Sequence, residues 1–386
     1  MIYLDQAATS WPKPARVIEA VNYMLSNVSA NPGRGNYGSS LEALNLVNCT
    51  REKIADFMGM SSRQGVVFTA NATEALNAVI MGSLKPGDHV ITSTLEHNAV
   101  ARTLYALEKQ GISTTKIYRS PINGCRLERL EEAIRPNTKM IIWNHASNVF
   151  GTLSDLDGLS RLAQAYRLKI LIDAAQTVGS IPINMKEMGI DYLACSGHKG
   201  LYGPQGIGLL LLNDPDSGLD VWKYGETGDF SEQLPMPRKA PDCYEAGTPN
   251  LPGIAGLSEG VDFVIEQGLD KMYQSDLQKI ESIYHALEDI EGVVLYGPTP
   301  GMAKVPILSF NIVGLTASQV GEQLYKRWDI SARTGLQSAY WAHEAAGTLP
   351  YGTVRVSVGC YTGGQDIEEL AEAVETLRFE IKKGKF

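Results

Sequence analysis

Between residues 65 and 212 the chain keeps alternating short, continuous apolar runs with amphipathic stretches, and few folds tolerate that rhythm. The runs are GVVFTA (65–70), HVITS (89–93), TKIYR (115–119), KMIIWNHAS (139–147), KILIDAAQ (169–176), YLACSG (192–197) and GIGLLLL (206–212). Between them lie helical patterns such as RLERLEEAI and LDGLSRLAQAYR. Strand and helix in alternation predict an α/β fold with a mostly parallel seven-stranded sheet. Runs that are apolar throughout, rather than at every second residue, predict that both faces of the sheet are covered. The texture changes at EAGTPNLPG (245–253). A helical pattern over roughly 255–290, the runs VVLYG, VPILSFNIVG and TVRVSVG, and a helix from about Asp366 predict a smaller C-terminal α+β domain. The expected division is a large domain over 15–250 and a small one from 1–14 together with 251–386.

Composition removes several function classes. A formal net charge of −9 argues against a general nucleic-acid or anionic-membrane surface. The longest apolar runs are too short to span a bilayer, and MIYLDQAATSWPKP lacks the basic start and apolar stretch of a leader. Five scattered cysteines without a CxxC pair point to a reducing, cytoplasmic setting and away from zinc or disulfides. The histidines have no metal-ligand spacing, so no metal is expected. GPQGIG, after Lys199, lacks the spacing of a dinucleotide-binding loop.

In open α/β sheets ligands sit beyond the carboxyl ends of the strands, so the polar residues finishing each run are the candidates. TANATEALN puts Ala72 and Thr73 at a helix start, a natural phosphate cradle, although Asn71 and Thr73 could simply cap that helix. TLEHNA offers His97 to lie over a flat ligand, or to cap. NHASNVFG offers Asn148, a ligand donor or a turn residue. LIDAAQ supplies Asp173, which when buried needs a cation, with Gln176 just beyond. SGHKG supplies Ser196, His198 and Lys199. A lysine in a dry site loses basicity and becomes a usable nucleophile and base, whereas at a strand end it can instead snorkel to solvent. Together these residues are the set pyridoxal phosphate needs: an imine-forming lysine, an acid for the ring nitrogen and an anion cradle.

The motifs YLDQAATSWP, NPGRGNYG, TANATEALN, LEHNA, HASNVFGT, IDAAQTVG, SGHKGLYGPQGIG, YEAGTPN, ARTG and VRVSVG span nearly the whole chain. As a set they resemble class V pyridoxal-phosphate enzymes of the aspartate aminotransferase fold type (fold-type I), in the cysteine desulfurase branch. The resemblance implies that Lys199 bonds the cofactor and that Asp173 pairs with its ring nitrogen. Gln176 would bind its phenolic oxygen and His97 stack on its ring. Ala72, Thr73, Ser196 and His198 would hold the phosphate, joined by Thr248 from a neighbouring subunit, so a homodimer is expected. Asn148 and Arg355 would bind the α-carboxylate of a small amino acid, and a sulfur-acceptor protein is an implied partner.

One departure bears on mechanism. Where the family carries a sulfur-accepting cysteine on a mobile loop, ARTGLQSAYWAHEAAGT places Ser338. A serine hydroxyl is hardly ionised at neutral pH and cannot serve as a comparable persulfide carrier. Ser338 is then an engineered substitution, or the mark of a lyase that eliminates sulfur directly, or a sign that another thiol substitutes, Cys360 being nearest Arg355 in sequence. The expected activity is cleavage of the Cβ–S or Cβ–Se bond of a cysteine-like amino acid. A class V aminotransferase and a catalytically silent cofactor-binding scaffold are the alternatives.

Overall fold

The computed structural model describes residues 1–28, 30–33, 35–228 and 231–385. After a two-residue strand, β1 (Ile2–Tyr3), come the seven strands of the main sheet: β2 (Val66–Thr69), β3 (His89–Ser93), β4 (Ser113–Ile117), β5 (Thr138–Asn144), β6 (Lys169–Asp173), β7 (Tyr192–Ser196) and β8 (Gly208–Leu212). Their order is β2-β8-β7-β6-β5-β3-β4. Only β8 runs against the others, being antiparallel to both β7 and β2. The sheet is therefore mostly parallel, and six strands end at one edge.

Residues alternate between two apolar layers along each strand. On β6, Ile170 and Ile172 enter one core cluster and Leu171 the other; on β8, Leu209 and Leu211 oppose Leu210 and Leu212. The first layer is closed by residues such as Ile54, Ile254 and Leu257, the second by Leu76, Val79, Val100 and Leu104. Both layers lie under helices, which is why the inner strands have no polar face, whereas edge strand β4, STTKI, is only partly buried.

The EAGTPN segment ends in a helix signal. Asn250 Oδ1 accepts the Gly253 N–H at 3.0 Å, starting the helix Leu251–Gln267 with Pro252 in its first turn. The pattern expected to run unbroken to about 290 is instead two helices, because Gly268, at φ +80°, ends the first and begins Leu269–Glu288.

The C-terminal part holds β9 (Val293–Tyr296), β10 (Ile307–Ile312), β11 (Ile330–Ser331), β12 (Arg333–Gly335) and β13 (Thr353–Ser357). Four form an antiparallel sheet in the order β12-β13-β10-β9, while β11 pairs in parallel with β1. A third apolar cluster unites this sheet with the helices Leu269–Glu288, Ala317–Trp328 and Gly364–Lys382, and takes in Ile2 and Leu4 from the chain start. No helix among the described residues is long and apolar enough to cross a membrane.

Candidate active site

The common edge of the parallel strands opens on a cavity of about 620 Å³ lined by Ala72, Thr73, His97, Asn148, Asp173, Gln176, Ser196, His198 and Lys199, among others. Nine residues nominated from the sequence thus share one chamber. Each is there for a local reason.

Asn71 Oδ1 accepts the Glu74 N–H at 3.0 Å and fixes the start of the helix Ala72–Ser83. Capping was the plainer reading of this motif, and it holds for Asn71. The Ala72 N–H is left with only a long contact, 3.4 Å, to Ser196 Oγ, so it faces the cavity alongside that hydroxyl. This helix start can come so close to β8 because residue 208 is glycine: a Cβ there would lie 2.6 Å from the Asn71 backbone.

His97 does cap its helix. Its Nδ1 accepts the Ala99 N–H at 3.0 Å, so Nδ1 bears no hydrogen and Nε2 carries the proton. Burial first, then the charges of Lys199, Arg102 and Arg355, hold its pKa down to about 4. The ring is neutral and also lines the cavity, so here capping and site roles coexist.

Asp173 ends β6 facing the same space. No helix follows; Oδ1 accepts the Ala175 N–H at 3.0 Å in a tight turn. Burial pushes its carboxyl up, against the opposing pull of that N–H and of the Lys199 charge. Lys199 is drawn down to about 8, mainly by burial and further by Arg355, with Asp173 pulling the other way. A dry ammonium and a dry carboxylate each lack full solvation, and the charge of each partly offsets the burial of the other. Gln176 Nε2 is tied to the Ala7 carbonyl at 3.1 Å, which closes the floor with the N-terminal segment.

Arg355 on β13 reaches the edge of this site from the small sheet. Its guanidinium is buried, donating to the Asn148 carbonyl at 2.8 Å and to Asp5 Oδ1 at 2.6 Å, while Nε has no partner. Asp5 was missed from the sequence; a carboxylate 350 residues from its arginine gives no local signal. Arg333, also missed as a candidate, stands directly across from Arg355 in the β12–β13 register. Lys13 is a third omission: its Nζ binds Ser10 Oγ and the His198 carbonyl, both at 2.8 Å, clamping the N-terminal segment onto the lysine turn.

Three nominated residues lie elsewhere. Thr248 is exposed and lines a separate cavity with Arg51, Lys239 and Asp242, so within one chain it does not reach Lys199. Its segment is pinned by Glu245, which accepts from Arg51 at 2.9 Å and from the Phe68 N–H of edge strand β2 at 2.6 Å. Ser338 is exposed and does not line the cavity, though its carbonyl accepts the Asn98 N–H at 2.7 Å, next to His97. Cys360 is half-buried beside Tyr202, and burial raises its thiol, which makes it a poor nucleophile.

The chamber fits the cofactor chemistry foreseen from the sequence. His198 Nδ1, Asn148 Oδ1 and Arg355 Nε are buried polar atoms lacking a partner, and such atoms mark where a polar ligand is received. Lys199, Asp173 and the Ala72 helix start supply an amine, an acid and an anion cradle within one cavity.

Comparison with known proteins agrees with this geometry. The family model described as Aminotransferase class-V matches residues 2–370. A probable cysteine desulfurase of Methanothermobacter thermautotrophicus is 30% identical over 386 residues, 97% of this chain and 94% of that protein. A cysteine desulfurase of Haloferax volcanii is 29% identical, covering 98% and 89% of the two chains. Among solved structures, the apo cysteine desulfurase of Thermococcus onnurineus superposes with a TM-score of 0.91 at 29% identity, covering 98% and 94%. The Escherichia coli cysteine desulfurase CsdA, in an S-sulfonic acid form, gives 0.88 at 26% identity, covering 98% and 95%.

Proposed function

The chain belongs to the class-V aminotransferase family, and we propose that it cleaves the Cβ–S bond of cysteine or a close analogue. It is an enzyme, and pyridoxal phosphate is its cofactor. The observation that carries the reading is that buried Lys199 and buried Asp173 line one chamber together with the Ala72 helix start.

Ala72, Thr73, Ser196 and His198 would hold the phosphate, Asp173 the ring nitrogen, and Gln176 the phenolic oxygen. His97 would lie on the ring face. When bound, the cofactor draws electrons away from Cα of the amino acid it carries. Lys199, held near pKa 8, is the base that takes the Cα proton. His97, whose Nε2 bears the hydrogen, donates to the departing sulfur. Arg355, already oriented by Asp5, receives the α-carboxylate. Thr248 would complete the phosphate site of a second copy, and a homodimer in the cytoplasm is part of the proposal.

With Ser338 at the loop and the Cys360 thiol raised by burial, elimination is the favoured route: sulfide leaves, and hydrolysis yields pyruvate and ammonia. The test is to incubate the cofactor-loaded protein with L-cysteine and follow sulfide, alanine and pyruvate together. Pyruvate with free sulfide supports elimination. Alanine with protein-bound sulfur would replace it with the persulfide route, and a keto acid without sulfide would indicate transamination. Lys199→Ala should abolish turnover and the borohydride-fixed label at that position while cofactor still binds non-covalently. Full activity in that variant would remove the mechanism.

A further inference from the structure

The segment carrying Ser338 is a tightly bonded strap. Gln337 and Ser338 are consecutive non-glycine residues in the left-handed region, at φ +39° and +57°, a conformation that costs of order 1 kcal/mol or more per residue. Something must hold them there. The Ser338 carbonyl accepts the Asn98 N–H at 2.7 Å, the Leu336 carbonyl accepts the Ala339 N–H at 2.8 Å, and Asn98 Oδ1 accepts the Tyr340 N–H at 3.2 Å.

The deepest fastening is the Gln337 side chain, which is buried. Its Nε2 donates to the Thr353 carbonyl at 2.7 Å, and its Oε1 lies 2.8 Å from His343 Nε2. A carbonyl only accepts, so the amide orientation is fixed, and Oε1 must receive a hydrogen from His343. His343 is buried and neutral, its pKa held near 4 mainly by desolvation. With its hydrogen on Nε2, its Nδ1 accepts from Thr348 Oγ1 at 2.7 Å. One arrangement of protons satisfies the chain Thr348–His343–Gln337–Thr353.

The strap acts on the chamber through one bond: the Gln337 carbonyl accepts Asn148 Nδ2 at 2.7 Å. Asn148 lines the Lys199 cavity, and its Oδ1 is buried without a partner. Turning that amide over would set Oδ1 against the Gln337 carbonyl, two acceptors face to face. The strap therefore dictates that Oδ1 and one remaining amide N–H are presented to the ligand.

We propose that Gln337 is a positioning residue: its side chain, bridged between His343 and Thr353, fixes the carbonyl that orients Asn148 toward the bound amino acid. The inference rests on reading the cavity as an amino-acid site. Gln337→Asn retains a side chain that tolerates the left-handed region but falls one methylene short of both partners. With L-cysteine as substrate and cofactor loading checked by absorbance, this variant should raise KM about tenfold, with kcat changed less than about threefold. His343→Ala should do the same, and the double variant should add nothing, because both cut one chain of bonds. Thr348→Val, a milder change at its far end, should shift KM in the same direction by about threefold and serves if the others fold poorly.

In the cofactor-free protein, amide exchange at Asn98 and Ala339 should quicken about tenfold in Gln337→Asn. Unchanged KM in all variants, additive effects in the double variant, or unaltered exchange would each overturn the proposal. Exchange needs no turnover. A wild-type protein inert toward L-cysteine would therefore count against the proposed function, while the exchange data would still judge the strap.

Discussion

Asp173 shows how a single side chain can oppose stability and serve chemistry. Burial disfavours its charged form, offset by one backbone N–H and the field of Lys199. Asp173→Asn keeps an oxygen for the Ala175 N–H and removes the buried charge. We expect the melting temperature of the cofactor-free variant to be equal to or above wild type, while kcat of the loaded enzyme falls at least about a hundredfold. A thermal scan and a sulfide assay on the same preparation check both. Lys199 and Asp173 were legible in the sequence because a charge between apolar runs breaks a strong local pattern. Asp5, Lys13 and Gln337 were not, since each acts through partners that only the folded chain supplies, as when Asp5 meets Arg355.

At the level of elements, the proposed phosphate cradle depends on how closely one helix start approaches one strand. Gly208→Ala would drive a Cβ to 2.6 Å from the Asn71 main chain, an overpacking that costs about 1–3 kcal/mol. The Ala72 N–H would be displaced with it. Affinity for pyridoxal phosphate should fall about tenfold, whereas affinity for pyridoxal, lacking the phosphate, should be nearly unaltered; equilibrium dialysis of both ligands decides. The strands themselves were foreseeable from apolar runs; HVITS matches its strand end to end and TKIYR is displaced by two residues, but the other five proved shorter than their runs. KMIIWNHAS, for example, stops pairing at Asn144, where the backbone turns away to carry Ala146 and Asn148 into the chamber. Periodicity cannot distinguish a paired residue from one that continues apolar past the last ladder bond. The break at Gly268 was hidden for a related reason, since the apolar rhythm carries on from one helix into the next.

For the molecule as a whole, histidine burial sets the response to acid. His89, His97, His145, His198 and His343 all have pKa values drawn down, to between about 3 and 4, with desolvation the leading cause each time. In the unfolded chain they titrate near 6.5. Between pH 6.5 and 4 the unfolded state therefore binds more protons, and stability falls as the pH is lowered through that window. Glu96, raised to about 8 by burial, works in the opposite direction, as do Asp173 and Asp276, whose carboxyls burial also pushes up, but these are three groups against five. The urea midpoint of the cofactor-free protein should decline steadily from pH 6.5 to 4, and a flat profile there would contradict the assigned burial.

The bond between Asp5 and Arg355 has a consequence for how the protein is born. A ribosome releases residues in order, and domains commonly fold as they emerge. The main sheet is finished at Leu212, long before Arg355 is made. A nascent chain can thus acquire the lysine's chamber early, yet it has no oriented guanidinium until strand β13 returns to the aspartate synthesised at the outset. On the role proposed for Arg355, substrate capture would be the last competence the growing polypeptide gains.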